Sequence, residues 1–312
     1  MNRILIERAE WIDGQVALAD DRAAHIVGTL HAVPGQRVRM GILDGPCGWG
    51  RVEAVEGDRV RLACAFDEAP PPAPAVDLLL ALPRPKVMRR LWAPLASMGV
   101  GRIVLTNAAK VERHYFDAHV LQPGVYRPLL IEGLQQSGDT AVPAVRVERR
   151  LKPFVEDELD GLFPNSVRLV TDPAAAVRIR EAVKSCEESD RGRSGWNPTL
   201  QVPNDGGIVS PMEGRLPACG HVAVSDAAHV ARRPPTPSQL PHPGQRRILA
   251  AVGPEGGWTE FELALLESRG FVRCGMGDRT LRSDVASIAL LALLSDALHA
   301  RGPSPAPSPR PA

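Results

Sequence analysis

Apolar and polar positions change their period along the chain. Over residues 1–70 they alternate in short runs, Asn2-Arg3-Ile4-Leu5-Ile6, Arg37-Val38-Arg39-Met40-Gly41-Ile42-Leu43 and Arg59-Val60-Arg61-Leu62-Ala63-Cys64. Pro34-Gly35, Asp44-Gly45-Pro46 and Gly57-Asp58 part them. A period of two with such breaks predicts a small all-β unit, interrupted by one helix over 23–30. From residue 76 the pattern turns to continuous apolar runs, the mark of strands covered on both faces. These predict strands over 76–82, 102–106, 167–170 and 248–252, with helices over 87–98 and 259–269, a short strand over 271–274 and a long apolar helix over 283–300.

Turn residues divide these blocks. Ala69-Pro70-Pro71-Pro72-Ala73-Pro74-Ala75 reads as a semi-rigid linker. The domains expected are therefore 1–70, a linker at 71–75 and a second domain over 76–301. Residues 186–245 lose all periodicity to Pro, Gly, Ser and Asp, and read as a disordered insertion; 302–312 read as a disordered tail. Thr259 and Glu262 have the spacing of a capping box, Gly270 is placed to end that helix, and Ser283 suits the N-cap of the last one.

Composition narrows the class. The chain has 312 residues, 44% hydrophobic and 23% charged, with formal net charge +1. Those are the proportions of an ordinary globular protein, so nucleic-acid affinity needs a local patch and not the whole field. One patch exists. Between Arg84 and Arg113 stand seven basic residues and one acid, Glu112, which favours a phosphate backbone. Arg84, Lys86, Arg89, Arg90, Lys110 and Arg113 are the candidate RNA contacts, the alternative being a solvated helix face. His114 and Tyr115 follow, to stack on a base or pack in the core. Residues 1–75 carry eight Arg against eleven acids, a poor phosphate grip, so this unit reads equally as scaffold. Five scattered cysteines without a Cys-x-x-Cys indicate neither a disulfide framework nor a metal site, and His25 and His31 read as structural. With no apolar signal core at the start and no run fit to span a membrane, a cytoplasmic setting is expected.

Two glycine-bearing loops remain, each leaving a strand and feeding a helix. The first is Gly253-Pro254-Glu255-Gly256-Gly257; the second runs Gly275-Met276-Gly277-Asp278-Arg279-Thr280-Leu281-Arg282 into Ser283-Asp284. Neither has the ending of a phosphate-binding P-loop or the glycine spacing of a dinucleotide site. Together they form a cradle of backbone groups. In this order, before an Ala-rich helix, the pair resembles the RsmE-type RNA methyltransferases of the SPOUT superfamily.

That resemblance implies an α/β fold, a parallel-sheet SPOUT domain with a C-terminal trefoil knot behind a small PUA-like β-barrel. It implies S-adenosylmethionine as cofactor, small-subunit ribosomal RNA as substrate, methylation at N3 of a uridine, and a homodimer. The cofactor would be held by Thr171 and Asp172 of an earlier loop, by Val252, Gly253, Pro254, Gly256 and Gly257, and by Met276, Gly277 and Leu281. Arg282, Glu255 and Asp284 are the catalytic candidates: Arg282 to stabilise charge on the uracil oxygens, and either carboxylate to take the N3 proton. Equally, Glu255 anchors its loop and Asp284 caps its helix. Where the family usually has Glu-Gln-x-Gly-Arg, this chain has Gln135-Gln136-Ser137-Gly138-Asp139, and its Ser283-Asp284-Val285 replaces Thr-Glu-Thr. The reversed charge at Asp139 motivates two alternatives: a knotted methyltransferase with another RNA target, or a catalytically silent RNA-binding homologue.

Overall fold

The computed structural model describes residues 3–191 and 247–299. The reading of 186–245 as disordered lies largely outside those residues, as does that of the tail. At its start it is corrected, because a helix continues through Cys186 to Arg191.

The first sheet is built from β1 (Ile4–Ile6), β2 (Gln15–Leu18), β3 (Arg37–Ile42), β4 (Cys47–Glu56) and β5 (Arg59–Glu68), with helix α1 (Asp21–Gly28) between β2 and β3. Its order is β1-β3-β4-β5-β2, antiparallel except for the parallel pair β1 and β3, and it forms a half-barrel. Alternation explains the curl: Val16, Leu18, Val38, Met40, Val52, Val60 and Leu62 point to one face and make a core separate from the rest of the molecule, closed by Ala23 and Ile26 of α1.

The second sheet starts at β6 (Val76–Ala81), followed by α2 (Pro85–Ser97), β7 (Val100–Thr106), α3 (Pro123–Ser137) and β8 (Ala144–Glu148). An irregular helical stretch comes next: α4 (Leu151–Pro153), a π turn (Phe154–Glu158) and α5 (Leu159–Leu162). The chain closes with β9 (Val167–Thr171), α6 (Ile179–Arg191), β10 (Ile248–Val252), α7 (Glu260–Glu267), β11 (Phe271–Cys274) and α8 (Ser283–His299). All six strands run parallel, in the order β11-β9-β10-β6-β7-β8. The last-arriving central strand, β10, thus lies between β6 and β9, and its five residues are all buried. Helices α2, α6 and α8 cover this region; Trp92 of α2 is wholly buried and donates its Nε1–H to the Val120 carbonyl at 3.3 Å.

One charge breaks the apolar run of β6. Asp77 is fully buried, and Arg247, at the entry to β10, donates Nε–H to its Oδ2 at 2.7 Å and Nη2–H to its Oδ1. Arg102 of β7 adds a third donor at 2.8 Å, and Arg247 Nη1–H reaches the Pro74 carbonyl at 2.7 Å. The carboxylate ties β6, β7 and β10 together at their N-terminal ends. Periodicity alone passed over it; a lone acid in a strand buried on both faces was the available signal.

The two sheets meet along 135–142. Gln135 is buried, and its carbonyl accepts from Arg3 N–H at 3.2 Å. Thr140 Oγ1–H donates to the Gly45 carbonyl at 2.8 Å, and Val142 N–H to Asp44 Oδ1 at 2.8 Å. Asp139 Oδ1 accepts from the N–H groups of Thr140 and Ala141, at 2.6 and 3.0 Å. The charge that set this chain apart from its resemblance is engaged with its own turn at an interdomain seam. Tyr115 leans on the core with His114 edge-on to it at 4.7 Å.

Replacing Asp77 with Ala strands Arg247 in a buried site, and loss of one partner of a buried pair costs about 3–5 kcal/mol. Urea unfolding of Asp77→Ala is expected to show that loss as a lower midpoint with the slope retained.

Candidate functional site

The C-terminal ends of β11, β9, β10 and β6 are neighbours in the sheet, so the loops leaving them converge. This is where parallel α/β sheets place ligands. The loops after β9 and β11 are stitched to one another. Asp172 N–H donates to the Cys274 carbonyl at 3.0 Å and Gly275 N–H to the Val177 carbonyl at 2.8 Å. Arg273 faces Asp172 at 3.6 Å, and Arg178 faces Asp278 at 3.3 Å. A Cβ on Gly275 would sit 2.6 Å from the Ala175 carbonyl oxygen, so only glycine permits this approach. Thr171, buried, donates Oγ1–H to the Ala251 carbonyl at 3.2 Å, tying the end of β9 to β10.

The loop after β10 is braced from beneath. Gly257 has φ +71° and donates its N–H to the Pro254 carbonyl at 2.8 Å. The indole of Trp258 lies under Gly253, where an added Cβ would stand 3.0 Å from the ring. Trp258 is buried and its Nε1 has no hydrogen-bond partner among the described residues. The capping box is present: Thr259 Oγ1 accepts from Glu262 N–H, and Glu262 Oε2 accepts from Thr259 N–H at 2.8 Å. Met276 and Leu281 are partly buried against the core, where they form apolar walls.

Beside this cradle lies a cleft of about 350 Å³ lined by Arg84, Glu255, Thr280, Leu281 and Arg282. Glu255 faces Arg84 at 3.4 Å. Asp284 faces Arg90 at 3.5 Å and Arg282 at 3.8 Å. The three catalytic candidates and two of the basic candidates therefore meet in one place, three guanidinium groups around two carboxylates. Lys110 joins them from the loop after β7, its Nζ donating to the Gly256 carbonyl at 2.6 Å. Lys86 and Arg89 are exposed on α2 outside the cleft, and Arg113 lines a separate cavity. One local expectation is corrected. Ser283 does not cap α8 with its side chain: it is the first helical residue, buried, and its Oγ has no partner among the described residues.

Thiol chemistry has no place here. Burial pushes Cys274, at the end of β11, up to about 12, and Cys64 likewise, so both stay protonated near neutral pH. Among the described residues no group of three or more His, Cys, Asp or Glu could hold a metal ion. Trp258, Arg178 and Arg273 went unread in the sequence; an indole directly after two loop glycines was the signal for the first.

Comparison with known proteins supplies independent findings. A family model described as "RNA methyltransferase domain" matches residues 70–195 and 223–295. Ribosomal RNA small subunit methyltransferase E of Treponema pallidum is 24% identical over 303 residues, covering 96% of this chain and 92% of that one. A probable rRNA-methyltransferase from Porphyromonas gingivalis superposes with TM-score 0.61 at 18% identity, covering 96% of this chain and all of the other. Ribosomal RNA small subunit methyltransferase E from Neisseria gonorrhoeae, solved bound to S-adenosyl methionine, does so with TM-score 0.59 at 16% identity, covering 95% and 97%.

Gly275→Ala is expected to part the β9 and β11 loops and weaken S-adenosylmethionine binding about 5- to 150-fold, since overpacking costs about 1–3 kcal/mol. Titration calorimetry checks this against Gly124→Ala, where the added methyl enters open space.

Proposed function

Because the chain belongs to the RNA methyltransferase domain family, RsmE type, we propose that it uses S-adenosylmethionine to methylate N3 of a uridine in small-subunit ribosomal RNA. The observation that carries this reading is the meeting of Arg84, Glu255 and Arg282 in one cleft beside the two glycine loops. The residues present fit the cofactor: Gly253 and Gly275 let Trp258 and the β9 loop pack tightly against the cradle backbone, and Met276 and Leu281 add apolar walls. Thr171 and Asp172 close the third side.

Bound S-adenosylmethionine supplies an electrophilic methyl carbon and a neutral thioether leaving group. The protein's task is alignment and proton removal. Uracil N3 carries a proton, and its lone pair becomes nucleophilic when that proton leaves. Glu255 lines the cleft, half-exposed, and takes the N3 proton; the N3 pair then forms the new C–N bond as the C–S bond breaks. Asp284 serves differently. Its Oδ1 accepts from Val285 N–H at 3.0 Å and its carboxylate holds Arg90 and Arg282. Arg282 and Arg84 stabilise the negative charge that spreads onto the uracil oxygens. The alternative of another RNA target draws on Asp139, which stands where the family has Arg and bonds to the backbone of its own turn.

The same reading extends to architecture and assembly. The insertion of β10 between β6 and β9, with α8 packed over α2, α6 and β10, supports a C-terminal trefoil knot. The half-barrel supports a PUA-like first domain. Val285 and Leu293 stand exposed on α8, and a second copy of the chain would cover them in a homodimer. No helix of the described residues is long and apolar enough to cross a membrane, and a cytoplasmic enzyme accords with a ribosomal substrate.

Mass-spectrometric mapping of N3-methyluridine in small-subunit rRNA from cells lacking the gene tests the activity. Purified protein with S-adenosylmethionine is expected to restore a missing mark, and Arg282→Ala to slow it about 10²–10³-fold, the usual effect of losing one charge-stabilising donor. An intact mark in those cells overturns the assignment. For assembly, light scattering is expected to give twice the chain mass, and Leu293→Glu to lower it.

A further inference from the structure

A second cavity, of about 310 Å³, lies between α7, the loop after β7 and the start of α4. Its floor is apolar, formed by Val111, Leu151 and Leu265. Asn107 lines it, and the Oδ1 of that side chain is buried with no donor among the described residues. An acceptor left so is costly unless something else supplies the hydrogen bond. At the lip stands Phe261, an aromatic ring left 63% exposed.

Charge around the cavity is one-sided. Glu262 is buried there, but Ala109 N–H donates to its Oε1 at 2.7 Å, and the N–H and Oγ1–H of Thr259 donate to its Oε2 at 2.8 and 2.9 Å. Its charge is answered within the protein. Arg113 and Lys152 are the other charged groups lining the cavity; Lys152 stands 3.8 Å from Glu156, and Arg113 has no ion pair among the described residues. A flat exposed ring, an unanswered acceptor and two cations suit one ligand class: an unstacked nucleobase with its phosphates.

The cavity adjoins the first cleft. Ala109 and Val111 form one wall, and Lys110 between them donates to Gly256, next to Glu255. We propose that this cavity is a second nucleotide subsite, receiving an unpaired base adjoining the target nucleotide. Phe261 stacks on the base, Asn107 accepts from its hydrogen-bonding edge, and Arg113 and Lys152 hold the flanking phosphates. The proposal rests on the reading of the chain as an RNA methyltransferase acting on rRNA, and it places part of substrate selection here.

The test uses the full chain and a single-stranded fragment of small-subunit rRNA. Phe261→Ala is expected to raise the KM for RNA about tenfold, the scale of one lost base–aromatic stack, with kcat and S-adenosylmethionine affinity unchanged. Phe261→Tyr is expected to restore it. Asn107→Leu is expected to weaken RNA binding without lowering the melting temperature, because it removes an acceptor that no protein donor answers. A KM within twofold of the parent for both Phe261→Ala and Asn107→Leu overturns the subsite. If the parent transfers no methyl group to rRNA, the activity reading fails by itself, and photo-crosslinking of 5-iodouridine-substituted RNA then decides the cavity. A crosslink on the peptide bearing Phe261 supports the subsite; crosslinks confined to other peptides overturn it.

Discussion

Everything at the loop-bearing edge of the second sheet depends on β10 being held between β6 and β9. A parallel strand arriving late in the chain gains hydrogen bonds on both sides, but it must enter at the correct register to gain them. Asp77 and Arg247 enforce that register at the entry, because a buried carboxylate tolerates no position in which its donors are absent. With Ile248 opposite Val76 and Val167, the strand ends at Val252, level with Leu80. The Gly253 loop then emerges beside the loops of β6 and β9. A slip of one residue would reverse every side chain of β10 and move the loop out of the cleft.

The loops at that edge are stiff because they are cross-braced and not because their residues are rigid. Trp258 supports Gly253, Lys110 holds Gly256, and Arg178 and Arg273 tie the β9 and β11 loops together. A backbone cradle needs such bracing, since amide groups recognise a ligand only when they already point at it. The cost of order is met by folding, which leaves binding energy for alignment.

Much of this was legible in residues. The positions of β1, β3, β5, β6, β7, β9, β10 and β11 and of α1, α2, α7 and α8 followed from period and caps, whereas β2, β4, β8 and α3 to α6 were not read. The two loops, in their order, pointed to the family. What stayed hidden was pairing across distance. No local pattern joins Asp77 to Arg247, Arg84 to Glu255 or Arg90 to Asp284; each pair is separated by well over a hundred positions. Asp139 shows another side of this: the sequence marks a reversed charge, and only the structure shows that its carboxylate accepts from the Thr140 N–H while Thr140 bonds to Gly45 of the first sheet. Ser283 likewise fits the chemistry of a cap, but the helix begins one residue earlier than that role needs.

The partition of charge in the cleft has a chemical consequence. Two carboxylates sit among three guanidinium groups, and the two are not equivalent. Asp284 is held by Arg90, Arg282 and a backbone N–H, so it orients cations. Glu255, among the described residues, pairs with Arg84 alone and faces the open cleft. On the proposed mechanism, a proton moving to Glu255 would weaken its hold on Arg84 and release that guanidinium toward the uracil oxygens as they gain charge. On that mechanism, proton removal and anion stabilisation would be coupled through one side chain, which a carboxylate with three fixed partners would not permit.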